Sequence, residues 1–94
     1  MQAAMAVNVT IKDGRGPEAD EQLHTVVIPM LKSLPGFVAN YHMVTADGTK
    51  GLGVIIFDSE ENAAAAAQGL AAMPRPEDNP VTIDRVDTYQ VIAR

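Results

Sequence analysis

Strand-like and helix-like segments alternate along this chain, and their order constrains the fold more than any other feature. Apolar and polar residues alternate every second position in the strand-like segments, whereas apolar residues recur every three to four positions in the first helical one. The predicted strands are residues 5–12, 37–45, 50–57 and 81–92, and the predicted helices are residues 17–34 and 58–73. The order β-α-β-β-α-β predicts an α+β, ferredoxin-like fold with a four-stranded antiparallel sheet and both helices on one face.

Proline and glycine mark the boundaries of these segments. Pro17 suits the first position of a helix, where its missing N–H costs nothing. Pro29 lies inside the first apolar stripe and is predicted to kink the helix near Thr25 or to restart it after Ile28. Asp47-Gly48 predicts a tight hairpin, because both residue types tolerate positive φ.

The 94 residues are predicted to form a single domain, residues 1–94, near the size at which a second subunit adds stability. The chain has no cysteine, which excludes disulfides, thiol nucleophiles and cysteine-based metal sites. A net charge of −5 with scattered basic residues argues against a nucleic-acid or membrane partner. The amino terminus lacks the pattern of a signal peptide, and the cytoplasm is the predicted location.

Two helices cover one face of a four-stranded sheet, so the residues of the other face predict what it meets. The strand pattern predicts Phe37, Ala39, Tyr41 and Met43 beneath the helices, together with the apolar residues of the first strand. The residues predicted on the uncovered face are Asn8, Thr10, Val38, Asn40, His42, Val44, Ile55 and Phe57. This face is too apolar for bulk water, and we therefore predict a homodimer in which two sheets face each other.

Three stretches carry a resemblance to a known family. They are Leu34-Pro35-Gly36-Phe37, the Asp47-Gly48 hairpin, and Phe57-Asp58-Ser59-Glu60-Glu61 before an alanine-rich helix. Together they resemble the dimeric α/β-barrel superfamily, in particular its antibiotic-biosynthesis-monooxygenase-like branch. The resemblance implies a dimeric α/β barrel that binds or oxidises a small apolar or aromatic molecule. It implies no cofactor, with haem as the alternative, because the superfamily includes both cofactor-free quinone-forming monooxygenases and haem-degrading enzymes.

The candidate site residues are few. His42 is the candidate general base, since imidazole titrates near neutral pH, and it is predicted on the same face as Asn8 and Asn40. The resemblance implies a catalytic role for Asn8 in the first strand. It also implies a tryptophan near the second helix, where this chain has Phe57-Asp58 and no tryptophan anywhere. His24, at the edge of the helical stripe, completes the predicted ligand-binding set of Asn8, Asn40, His42 and His24, and no metal site is predicted.

Two other functions are compatible with the sequence. The first is a dimeric interaction or ligand-binding protein without chemistry, whose uncovered sheet face is only the subunit interface. The second is an amino-acid-binding regulatory domain of the ACT type, which shares the β-α-β-β-α-β order. An enclosed cavity lined by His42 or His24 would favour an enzyme over the first of these.

Overall fold

The computed structural model describes residues 1–94 and has the predicted order of elements. The elements are β1 (Ala3–Ile11), α1 (Gly16–Gln22), a π-helical turn (Leu23–Val27), α2 (Ile28–Lys32), β2 (Phe37–Val44), β3 (Lys50–Phe57), α3 (Glu60–Ala72) and β4 (Val81–Gln90). All neighbouring strands are antiparallel, in the order β2-β3-β1-β4. The predicted α+β ferredoxin-like fold is therefore confirmed. No helix combines the length and the apolar character that crossing a bilayer requires.

Helix α1, the π-helical turn and α2 form one continuous helix, called the first helix below. The predicted irregularity near Thr25 is present, but as a π-helical turn, in which the Ile28 N–H donates to the Leu23 carbonyl five residues back. Pro29 explains the position of this turn, because it has no N–H to donate to the Thr25 carbonyl. The first helix ends at Lys32, two residues before the predicted end.

Two glycines fix the connections on either side of β2. Gly36 has φ of +78°, and a side chain there would collide with those of Asn62 and Asp58. Gly48 has φ of +75° in the β2–β3 turn, where Asp47 accepts hydrogen bonds from Thr45 and Thr49. These bonds lower the pKa of Asp47 to about 2, since they stabilise its carboxylate. The predicted hairpin is confirmed.

Helix α3 begins where the sequence predicts a cap. Ser59 is the N-cap residue, and its hydroxyl accepts a hydrogen bond from the Asn62 N–H. The helix lies against β1 and β4, while the first helix keeps its backbone farther from the sheet. Because alanines make up much of α3, it approaches the strands closely and buries little side-chain area.

The core lies between the helices and the sheet, and it contains two residues that the sequence analysis placed on the opposite face. Phe57, Met5 and Ile55 are its largest fully buried side chains. The prediction that Ile55 and Phe57 lie on the uncovered face is wrong. The register pairs Met5 with Ile55 and Ala3 with Phe57, and directly paired residues share a face of the sheet.

A β-bulge at Val38 corrects a second prediction. Phe37 pairs with Phe57, but Ala39 pairs with Ile56, so Val38 is an extra residue in β2. Beyond the bulge the alternation is inverted, and Asn40, His42 and Val44 face the helices. Ala39, Tyr41 and Met43 occupy the other face, where the sequence predicted the reverse. A one-residue shift has this effect because strand side chains alternate with period two.

We call the sheet surface without helices the open face. Its polar residues include Asn8 and Thr10, as predicted, together with Lys50, Arg85 and Asp87. The apolar residues are Ala4, Ala6, Ala39, Tyr41, Met43, Leu52, Val54, Ile56 and Tyr89. Tyr41, Met43 and Tyr89 are each at least half exposed, at 61%, 50% and 53%.

Candidate functional site

His42 and Asn40 form a hydrogen-bonded pair on the helix-covered side of β2. Nε2 of His42 lies 2.6 Å from Oδ1 of Asn40. Because an amide oxygen only accepts hydrogen bonds, Nε2 carries the proton, and the neutral ring has its lone pair on Nδ1. The pair is partly buried, and the space beside it, towards His24 of the first helix, is called the cleft below. The site prediction placed these two residues on one face, and the structure brings them into contact.

The surroundings of His42 favour its neutral form. Partial burial lowers the pKa of His42, and the charge of His24 on the first helix lowers it further. His24 is the one charged group that acts on the ring, so no carboxylate opposes these effects. At neutral pH the imidazole is therefore uncharged.

His24 lies across the cleft from His42, at its exposed rim. Its Nδ1 lies 2.9 Å from the Asp20 carbonyl oxygen and donates to it, which leaves the lone pair of the neutral ring on Nε2. The Asp20 carboxylate is 3.6 Å from the same nitrogen, and the His24 side chain is 63% exposed. His24 therefore stands at the surface, whereas the His42–Asn40 pair is partly buried.

Asn8 lies on the open face, away from the His42–Asn40 pair. It pairs with Leu52, whereas His42 pairs with the next residue, Gly53, and adjacent strand residues point to opposite faces. The expectation that Asn8 shares a face with His42 is wrong, because the bulge at Val38 exchanges the two faces of β2 beyond it and leaves those of β1 unchanged.

An apolar cavity of about 160 Å3 lies between α3 and the carboxyl-terminal half of the first helix. Met5 forms its floor, and the space stays open because Ala65 and Ala66 have small side chains and Gly69 has none. The rest of its lining is Met30, Leu31, Leu34, Pro35, Asn62 and Leu70. Sequence reasoning missed this cavity, although alanine and glycine opposite leucine and methionine were the available signal. Neither histidine lines it.

The interhelical cavity does not fit a haem. It is smaller than the roughly 300 Å3 at which ligand pockets begin, and a haem needs an axial ligand as well as room. Neither histidine lines this cavity, so it offers no axial imidazole. No group of three or more His, Cys, Asp or Glu side chains is arranged to hold a metal ion.

We expect the lowered pKa of His42 to make stability depend on pH. The unfolded chain binds a proton at His42 near pH 6.5, whereas the folded protein resists protonation. The contribution of neutral His42 to the stability of the fold is therefore present above about pH 6.5, and it is lost as pH falls through the lowered pKa of the folded state. Urea unfolding at about pH 7.5 and about pH 5.5 measures this effect. The free energy of unfolding should differ less between the two pH values for His42→Gln than for the wild type. An unchanged difference would contradict the burial of His42.

Comparison with solved structures agrees with this fold. A haem-degrading protein of Mycobacterium tuberculosis, MhuD, has a TM-score of 0.73 and 19% identity, over 100% of this chain and 98% of that one. The cofactor-independent oxygenase SnoaB of Streptomyces nogalater has a TM-score of 0.68 and 13% identity, over 99% and 95%. A monooxygenase of Streptomyces coelicolor, solved with nanaomycin D, has a TM-score of 0.59 and 17% identity, over 98% and 89%.

These structures include haem-degrading and cofactor-independent oxygenases, as the sequence resemblance implied, and they confirm the predicted fold. No family model matches the chain, and no curated protein matches it.

Proposed function

We propose that this chain is one subunit of a homodimeric protein that binds a small aromatic molecule in the cleft and oxidises it without a cofactor. The observation that carries the proposal is the His42–Asn40 pair, whose neutral imidazole is partly buried on the helix-covered side of the sheet. A base of this kind is what a phenolic substrate needs, because its hydroxyl must lose a proton before the ring can react with O2. The likeness to oxygenases of the same fold supports this reading.

The proposed reaction converts a hydroxyarene and O2 into a quinone and water. His42 Nδ1 takes the hydroxyl proton, and the electron-rich ring then reduces O2, forming a carbon–oxygen bond to a peroxide. Loss of the ring proton and cleavage of the O–O bond leave the second carbonyl, and the departing oxygen leaves as water. One O2 is consumed for each quinone, and O2 is the only oxidant required.

The shape of the site supports an elongated ligand. A dry cavity of roughly 150 Å3 accommodates a single benzene ring, so the interhelical cavity is of a size to take one ring. Met5 on its floor and Asn40 lie in one cross-strand row with Ile55 between them, about 10 Å apart at ordinary strand spacing. A fused-ring phenol with one end in the cavity is long enough to bring its hydroxyl towards His42.

The open face supports the homodimer. Its central apolar surface would meet water in an isolated subunit, and a second copy of the same sheet would cover it. In this arrangement Asn8 lies at the subunit interface, and the 94 residues act as one domain. The cytoplasmic location stays a prediction from the sequence.

Oxygen uptake with 1-naphthol and with anthrone tests the proposed activity. We expect His42→Ala to lower the rate by roughly 100-fold or more, because it removes the base. Asn8→Ala is the matched comparison, since it removes the residue that the resemblance favoured but the structure places on the open face. Light scattering on both variants checks that the subunits still associate. Equal rates for His42→Ala and the wild type, or no uptake with either substrate, would refute oxidation at this site.

One observation favours a second candidate, a ligand-binding protein without chemistry. The interhelical cavity is small, and neither histidine lines it. This candidate predicts that naphthol binds, as measured by calorimetry, without oxygen uptake or quinone formation.

A further inference from the structure

Gly53 of β3 lies directly beside the imidazole of His42. The two residues are paired in the β2–β3 register. A β-carbon on residue 53 would stand 3.1 Å from Nδ1 of His42 and 3.3 Å from its Cε1. These distances are shorter than ordinary van der Waals contacts, so any side chain at this position would push against the ring.

The backbone of Gly53 does not explain why glycine stands there. The glycines with positive φ are Gly14, Gly36 and Gly48, and Gly53 is not among them. It is buried in the middle of a strand, where glycine weakens the strand relative to alanine. Space for a neighbouring group is the remaining reason for glycine at this position, and the neighbouring group is the His42 ring.

We infer that Gly53 is the positioning residue for His42. The importance of this position for catalysis rests on the proposed function. The effect of Gly53 on the His42 ring can be tested without any substrate. The missing side chain lets the ring lie against β3, with Nδ1 beside Gly53, and this keeps Nε2 on the Asn40 oxygen. A β-carbon would displace the ring, weaken the bond to Asn40 and turn the imidazole towards solvent.

Nuclear magnetic resonance of the two histidine rings tests this directly in Gly53→Ala. We expect the pKa of His42 to rise towards 6.5, because the displaced ring is less buried, and the Nε2 proton signal to lose its hydrogen-bonded shift. Gly51→Ala is the matched control. It places the same methyl group on the same strand and face, but against Cγ2 of Val9 instead of His42. The His42 titration should be unchanged in this control.

A double-mutant cycle keeps the test decisive if Gly53→Ala unfolds the protein. In the wild-type background the substitution should lower the midpoint of urea unfolding. In the His42→Ala background it should raise that midpoint, because the ring is gone and alanine favours a strand over glycine. The inference is overturned if Gly53→Ala lowers stability equally in both backgrounds, or if the wild-type His42 titration persists in Gly53→Ala.

The same variants separate this inference from the proposed activity. If oxygen uptake is absent in the wild type but the cycle shows coupling between positions 53 and 42, the proposed oxidation fails and the positioning role stands. If the wild type is active, Gly53→Ala should lower kcat at least tenfold, and its pH profile should follow the altered titration of His42. An active wild type with an unchanged kcat and pH profile in Gly53→Ala would overturn the positioning role.

Discussion

Phe57→Ala is expected to lower the free energy of unfolding by about 3–5 kcal/mol, which is a large part of the stability of a small domain. Phe57 is 0% exposed, and it packs in the same core cluster as Ala3 and Ala63. The loss combines the transfer of an aromatic ring out of the core with the cavity left behind, because close-packed neighbours collapse only in part. Urea unfolding at a fixed protein concentration measures it.

Phe37→Ala is the matched comparison, because it makes the same substitution at the position paired with Phe57. Phe37 is only half-buried at the rim of the core, so its truncation should cost less. A loss for Phe57→Ala no greater than that for Phe37→Ala would contradict the assignment of Phe57 to the core. It would favour the sequence prediction that Phe57 lies on the uncovered face.

Val54→Asp is expected to convert the dimer into monomers. Val54 occupies a central strand of the open face, where Ala6 and Tyr41 pair with it on either side. A carboxylate at this position would be buried at the centre of the interface, in the same cross-strand row as Asp87, and burying an unpaired charge costs several kcal/mol. A loss of about 3 kcal/mol or more corresponds to a rise of at least about 100-fold in the dissociation constant.

Light scattering at micromolar concentration measures this change. The wild type should give about twice the 10.0 kDa subunit mass, and Val54→Asp should give the subunit mass. Val44→Asp makes the same substitution on the helix-covered side, where Val44 is 60% exposed, and should remain dimeric. A wild type of 10.0 kDa would refute the homodimer, and a dimeric Val54→Asp would place the interface elsewhere.

The faces of the sheet show where sequence reasoning reaches its limit. The sequence predicted the range of β3 correctly, because the Asp47-Gly48 turn and the Asp58-Ser59 cap bound it from both sides. It misplaced Ile55 and Phe57, since a nearly continuous apolar run has no alternation that distinguishes its two faces. Pairing with β1 resolves this ambiguity.

The candidate site was predicted in composition but not in arrangement. Asn40 and His42 were identified from residue type and their two-residue spacing, and their contact follows from that spacing. Asn8 was grouped with them because a regular alternation was assumed in both strands. The small residues at Gly53 and along α3 are visible in the sequence, but their neighbours are not, because each space depends on which side chain of another element lies beside it.

The sequence by itself therefore determined the number and order of the elements, the β2–β3 hairpin and the break in the first helix. These features follow from local signals, in which hydrophobic period, turn residues and proline act on the residues beside them. The sequence already placed Asn8 on the uncovered face, and only the tertiary structure decided that Asn40 and His42 face the helices on the opposite side. Their placement depends on the one-residue bulge at Val38, which arises from pairing between strands, and a single extra residue reverses the face of every later side chain in β2.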